Sequence, residues 1–144
     1  GARVGFFVKD EHNARFGHDG ETLSAGDQIQ FAVRDDAQHT AMVLVGVDGR
    51  GAVTVYDAEQ IGAQRAKGEN KTRLIPDSVV LDDSTGAERF FVVYGDGSLS
   101  SVRAAAESAA RQLALTHGDL ESTERLSLPD SFVQSSVHIM KVGR

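Results

Sequence analysis

Apolar and polar residues alternate along several short segments of the chain, which is the period-two pattern of β-strands. Residues 41–47 are instead a near-continuous apolar run, typical of a central strand that is covered on both faces. The pattern predicts about seven strands, within residues 4–9, 28–33, 41–47, 53–56, 79–81, 89–94 and 137–142. Because strands and helices do not alternate, an antiparallel β-sandwich is favoured over a doubly wound sheet.

The last third of the chain changes to a helical period. Apolar residues recur three or four positions apart, at Leu99, Val102, Ala106, Ala109 and Leu113. This spacing predicts one helix over about residues 99–116, with Ser98 or Ser100 as its N-cap. We therefore expect a mainly β (α+β) fold, with the seven strands and this helix in a single domain over residues 1–144. The stripe is mostly alanine, so the helix can lie close against a sheet.

Turn signals join the predicted strands. The Asp48-Gly49 pair lies between two β-rich segments and predicts a hairpin whose two turn residues have positive φ. The segment Asp82 to Gly86 predicts a second turn and a hairpin between residues 79–81 and 89–94. We assign structural roles, at turns and strand starts, to Gly26, Asp27, Asp48, Gly49, Asp82, Gly86, Glu88 and Arg89.

The longest polar insertion covers residues 57–73 and contains the densest group of basic side chains. These are Arg65, Lys67, Lys71 and Arg73. A basic cluster of this kind is a candidate for binding an acidic partner or an anionic surface. A solvated loop, in which Glu59 and Glu69 dilute the positive charge, is the alternative.

Composition excludes several classes of function. The 144 residues carry 21 acidic and 15 basic side chains, a formal net charge of -6, which argues against a general nucleic-acid binder. The absence of cysteine rules out disulfides, cysteine-ligated metals and thiol nucleophiles. No apolar run approaches the roughly 20 residues that span a bilayer. Since the chain begins at Gly1, we expect it to be a piece of a longer protein.

The sequence offers no catalytic constellation, metal-binding motif or cofactor motif. The five histidines lack the spacing of metal ligands, and there is no G-x-S-x-G elbow or Walker loop. Two alternatives stay open. One is a small metal-dependent or acid/base hydrolase that uses His12 or His18 with Asp82 or Glu88. The other is a calcium-stabilised carbohydrate-binding module, against which 6% aromatic residues and no tryptophan weigh.

An ordered set of short motifs is more specific than these fragments. In chain order the motifs are Leu23–Phe31, Val45–Asp48, Gly51–Tyr56, Leu74–Asp82 and Gly86–Phe90. Together they resemble a family of bacterial β-rich domains of unknown function, over roughly residues 3–142. The resemblance implies a domain that accompanies zinc-finger anti-sigma-like, caspase-like peptidase or kinase modules, and it transfers no catalytic motif. Asp57 stands where the family pattern has proline.

These observations predict a non-enzymatic accessory or sensory domain of a bacterial signalling or envelope protein. We expect it to act by protein–protein contact or by binding a small ligand, without a cofactor and without inserting into a membrane. An exposed sheet edge and the basic residues between Arg65 and Arg73 are the expected contact surfaces. The resemblance implies a periplasmic or envelope-exposed location if the parent protein has an upstream anchor, and otherwise a cytoplasmic one.

Overall fold

The computed structural model describes residues 3–36, 38–61 and 72–143, and these residues form ten strands and one helix. The strands are β1 (Val4–Lys9), β2 (Ala14–Phe16), β3 (Glu21–Ser24), β4 (Gln28–Arg34), β5 (Ala41–Val47), β6 (Val53–Gln60), β7 (Thr72–Leu74), β8 (Val79–Val80), β9 (Gly86–Gly95) and β10 (Val133–Val142). The helix, α1, is Leu99–Leu115. The fold is therefore mainly β with one helix, as the sequence predicts.

The strands form two five-stranded sheets. Sheet A has the order β2-β1-β4-β7, with the short strand β8 also paired to β4. Sheet B has the order β3-β10-β9-β5-β6. The pairings are antiparallel except for β3 with β10, which run parallel. Sheet A packs on one face of sheet B through an apolar core, and α1 packs on the other face.

The core has two apolar layers on either side of sheet B. Between the sheets lie large side chains such as Phe6, Phe31 and Phe90. Between sheet B and α1 lie β-branched and small side chains, including Val43 of β5 and Ala106 of α1. Every residue of β5 is consequently buried, which confirms the prediction of a central strand covered on both faces.

Helix α1 agrees with the predicted range of about residues 99–116 to within a residue. The hydroxyl of Ser98 accepts a hydrogen bond from the backbone N–H of Ser101, as an N-cap does. The helix ends at Leu115, and His117 then has a positive φ of 52°. The buried stripe includes Val102, Ala106 and Ala110, and its small side chains allow close approach to sheet B.

The predicted number of about seven strands is too low, because three short strands lack a sequence signal. Strands β2 and β7 contain three residues each, which is too few for an alternating pattern to stand out in the sequence, and all of β2 is exposed. Strand β3 lies within the segment interpreted as a loop and a turn. Strand β6 extends to Gln60, so the insertion predicted over residues 57–73 is shorter than expected.

The first predicted hairpin forms, but its turn differs from the expected type. Strands β5 and β6 pair, yet the residue with positive φ is Gly51, at 81°. The carboxylate of Asp48 accepts hydrogen bonds from the backbone N–H groups of Arg50 and Ala52, which stabilises a longer turn. Gly49 is required for space, since a Cβ there would lie 2.8 Å from the carbonyl oxygen of Thr85.

The second predicted hairpin is wrong. Strand β8 pairs with β4 in sheet A, whereas β9 pairs with β5 and β10 in sheet B. The segment between Leu81 and Gly86 therefore crosses from one sheet to the other. Local turn residues predict a change of direction but do not specify which strand the chain joins next.

Candidate functional site

Two of the predicted turn residues, Asp82 and Glu88, meet at Lys141 of β10. The Lys141 Nζ lies 2.5 Å from Asp82 Oδ1 and 2.7 Å from Glu88 Oε1. It also donates to the hydroxyl oxygen of Ser84 at 2.5 Å, while the Tyr56 hydroxyl donates to Glu88 Oε2 at 3.1 Å. The Lys141 side chain is only 2% exposed. We call these five residues the Lys141 cluster.

The electrostatics of the Lys141 cluster keep its ion pairs charged. Hydrogen bonds from Lys141 and Ser84 lower the pKa of Asp82 to about 2. Burial by itself lowers the pKa of Lys141, but its bonds to Asp82 and Glu88 outweigh burial and raise that pKa. Burial and the neighbouring Glu88 raise the pKa of Tyr56. A buried ammonium that holds its proton this firmly is suited to joining strands and poorly suited to acting as a base.

Arg89, another predicted turn residue, is fully inside the molecule at 2% exposure. Its guanidinium donates to the carbonyl oxygens of Leu120 and Glu121, both at 2.6 Å, and to Ser136 Oγ at 2.9 Å. Its Nη2 also lies 3.3 Å from Nδ1 of His138. Burial lowers the pKa of Arg89. These contacts tie the segment that follows α1 to sheet B.

The other predicted turn residues lie at chain reversals. Gly26 and Gly86 both have positive φ, at 88° and 98°. Asp27 accepts a hydrogen bond at Oδ2 from the backbone N–H of Ser24, which closes the turn before β4.

Of the four predicted partner-binding residues, Arg73 lies in the described part of the chain, whereas Arg65, Lys67 and Lys71 lie outside it. Arg73 donates to both carboxylate oxygens of Asp35, at 2.7 and 3.0 Å, and to Glu59 Oε2 at 2.8 Å. These bonds join β7 of sheet A to β6 of sheet B. Its side chain is 22% exposed, and binding of a partner by this basic group stays a prediction.

Asp57, noted in the sequence only as a departure from the family pattern, is a titratable residue in an unusual environment. A β-bulge in β6 inserts Tyr56 between Val55 and Asp57, which pair with consecutive residues of β5. The Asp57 Oδ2 atom is buried and has no hydrogen-bond partner within the described residues. Burial and the nearby Glu59 raise the pKa of Asp57 to about 7. Asp57 therefore changes its charge near neutral pH.

The outer face of sheet A carries three of the five exposed large apolar side chains in the described part of the chain. Phe16 is 67% exposed, Val80 65% and Leu74 51%. Phe16 stacks on Phe7 of β1, with ring centroids 4.2 Å apart. Helix α1 covers the outer face of sheet B, but within the described ranges no helix covers the outer face of sheet A. The sequence pattern does not predict this face, because Phe16 belongs to a strand of three residues, which is too short to be recognised from alternation.

The charge on the outer face of sheet A differs from that of the whole chain. Strand alternation and register place twelve side-chain positions there, namely Gly5, Phe7, Lys9, Ala14, Phe16, Gln28, Gln30, Ala32, Arg34, Thr72, Leu74 and Val80. Two of them, Lys9 and Arg34, are cationic, and none is a carboxylate. This face is therefore apolar and weakly basic on a chain whose formal net charge is -6.

The residues of the alternative hydrolase hypothesis lie in separate groups. His12 Nε2 lies 3.8 Å from Glu11, and His18 Nδ1 lies 3.2 Å from Glu21. Asp82 and Glu88 belong instead to the Lys141 cluster. Within the described ranges, no group of three or more histidine and carboxylate side chains is arranged to hold a metal ion. The contacts thus supply no support for a histidine–carboxylate site.

Comparison with known proteins adds no assignment. No protein-family model matches the chain, and no curated protein matches it. The resemblance to bacterial β-rich domains therefore stays a prediction. The described part of the chain contains no helix with the length and hydropathy of a membrane span.

Proposed function

We propose that this protein is a non-enzymatic accessory or sensory domain of a bacterial signalling or envelope protein, acting by contact with another protein. The observation that carries the proposal is the outer face of sheet A, which no helix of the described residues covers and which carries the Phe7–Phe16 stack, Leu74 and Val80. Exposed aromatic and aliphatic side chains grouped on one face are typical of interaction surfaces.

The charge of this face supports a partner of particular chemistry. Lys9 on this face donates to the neutral oxygens of Gln30 and Ser78, and none of the twelve described strand positions of the face is a carboxylate. A partner with apolar side chains flanked by acidic ones would complement both features. Strand β2 is also a short, fully exposed edge of sheet A, which supports pairing with an added strand.

The arrangement of the charged turn residues also supports a binding role over a catalytic one. Asp82 and Glu88 bind Lys141, and Arg73 binds Asp35 and Glu59. Groups that neutralise one another in this way stabilise the fold and are not poised to attack a substrate.

Site-specific photo-crosslinking in the native host tests this proposal. A photoreactive phenylalanine analogue replaces Phe16 or Val80 in the full parent protein. The matched control replaces Leu115 of α1, which is apolar and 75% exposed. We expect one discrete crosslinked protein from positions 16 and 80 and none from position 115. No crosslink from either test position, or the same product from position 115, would contradict the proposal.

A further inference from the structure

A polar cavity of about 320 Å³ lies beside Arg89, between β10 and the segment that follows α1. Its lining includes Asp19, Arg89, Glu124, Arg125, Ser135 and Ser136. The volume lies at the lower end of the range of small-molecule sites. The cavity lies on the sheet B side of the molecule, so an inference about it does not depend on the outer face of sheet A.

The buried guanidinium of Arg89 makes all of its hydrogen bonds to neutral acceptors. These are the carbonyl oxygens of Leu120 and Glu121 and the hydroxyl of Ser136. The carboxylates of Asp19, Glu124 and Asp119 act on Arg89 only through space. A fully buried cation is usually paired with a contacting anion, because an uncompensated buried charge is strongly unfavourable. A ligand carboxylate in the adjoining cavity would supply that anion.

The same cavity also offers negative charge. The Asp19 carboxylate accepts hydrogen bonds at Oδ1 from the backbone N–H of His138 and from its Nδ1, each at 2.8 Å. Nδ1 of His138 lies 3.3 Å from Nη2 of Arg89, so Asp19 and Arg89 approach the same atom. At the rim, Glu124 and Arg125 make no side-chain hydrogen bond or ion pair within the described ranges. The cavity therefore presents both signs of charge at short range.

We propose that this cavity binds a small zwitterion of the α-amino acid type. The ligand carboxylate lies against Arg89 and Arg125, and the ammonium lies against Asp19 and Glu124. A simple anion would meet the two carboxylates, and a simple cation would meet the two arginines, so a ligand with both charges fits best. The side chains in the lining are polar, which favours a small polar substituent over a large apolar one.

Three probes of nearly equal size separate the contributions of the two charges. L-Serine carries both charges, L-glycerate has a hydroxyl in place of the ammonium, and serinol has a hydroxymethyl in place of the carboxylate. Titration calorimetry or amide chemical shifts measure binding of each probe to the wild-type chain. We expect serine to bind at least about tenfold more tightly than either of the other two.

Exposed residues at the rim supply variants that preserve the fold. Arg125→Gln and Glu124→Gln should each weaken serine binding about five- to tenfold. Arg103→Gln is the control, because Arg103 is an exposed arginine of α1 paired with Glu107 and lies outside the cavity lining. Thermal unfolding checks that all three variants fold.

Three outcomes would overturn the proposal. The first is no serine binding up to about 50 mM. The second is glycerate binding as tightly as serine, which would assign the cavity to simple anions. The third is an equal loss of affinity in Arg103→Gln and Arg125→Gln. None of these outcomes bears on the crosslinking result, so this site and the proposed interaction face can fail independently.

Discussion

At the scale of single residues, several charged side chains of this protein are buried, and some of them pair with one another. Asp82 and Glu88 share Lys141, and Lys141 is nearly inaccessible to solvent. Buried ion pairs of this kind are costly to break, because removing one partner leaves an uncompensated charge in a low dielectric. The residues at the turns therefore act on stability through long-range contacts as well as through local backbone conformation.

Replacing Lys141 with methionine tests this interpretation. Lys141→Met leaves the buried Glu88 carboxylate without its cation, so we expect a loss of about 3–5 kcal/mol in the free energy of unfolding. Denaturant unfolding measures the change. Lys9→Met is the matched control, because Lys9 bonds only to the neutral oxygens of Gln30 and Ser78 and should lose about 1 kcal/mol or less. Equal losses in the two variants would contradict the buried-pair argument.

Asp57 predicts a specific dependence of stability on pH. Its pKa is about 7 in the folded protein and near 3.8 in the unfolded chain, so folding favours the protonated form. The stability that this group contributes is present below about pH 4 and is lost as the pH rises towards 7. Asp57→Asn removes that loss. Since Asp57 is partly exposed, we expect the variant to gain only about 1 kcal/mol relative to wild type between pH 5 and pH 8.

Denaturant unfolding at pH 5 and pH 8 measures this difference for Asp57. Asp130→Asn serves as the control, because Asp130 is an exposed residue in a loop. The difference from wild type should change more between the two pH values for Asp57→Asn than for Asp130→Asn. Equal changes in the two variants would refute the assignment of a near-neutral pKa to Asp57.

At the scale of secondary-structure elements, α1 and β5 form because their residues suit the faces they present. The alanines of α1 allow its backbone to lie close to sheet B, where Val43 and Val45 project towards it. Strand β5 is apolar throughout because both of its faces are covered. Short strands such as β2 lack this agreement between local pattern and burial, and they form through pairing with a longer neighbour.

The close fit of α1 predicts that enlarging its buried stripe is unfavourable. Ala106 is completely buried against sheet B, so Ala106→Leu should lower the free energy of unfolding by about 1–3 kcal/mol through overpacking. Ala104→Leu makes the same change on the exposed side of the helix and should alter stability by less than about 0.5 kcal/mol. Chemical denaturation of both variants decides the point. Equal effects would mean that the helix–sheet contact is loose.

At the scale of the whole molecule, distant segments of the chain are interleaved in both sheets. Strand β10 lies between β3 and β9 in sheet B and contributes Val137 and Ile139 to the core. The backbone N–H of Arg3 also donates to Ser135 Oγ of β10. The two end regions of the chain are thus part of one cooperative structure.

Truncation tests this cooperativity. A chain that ends after Asp130 lacks β10, so the backbone edges of β3 and β9 that pair with β10 lose their hydrogen-bonding partner. We expect it to show no cooperative thermal transition by circular dichroism. A chain that ends after Val142 keeps β10 and should melt within about 5 °C of the full chain. A cooperative transition in the shorter chain would show that β10 is dispensable.

The sequence by itself determined those features in which local pattern and burial coincide. These features are the apolar run at residues 41–47, the alanine stripe of α1 and the serine at its N-cap. Each could be predicted because the spacing of apolar residues along an element follows from which of its faces are buried. Only the tertiary structure decided that β8 joins β4, that Lys141 meets Asp82 and Glu88, and that Phe16 stays exposed. Those outcomes depend on which distant segments pair when the sheets form. Patterns over a few neighbouring residues do not determine the pairing partner of a strand.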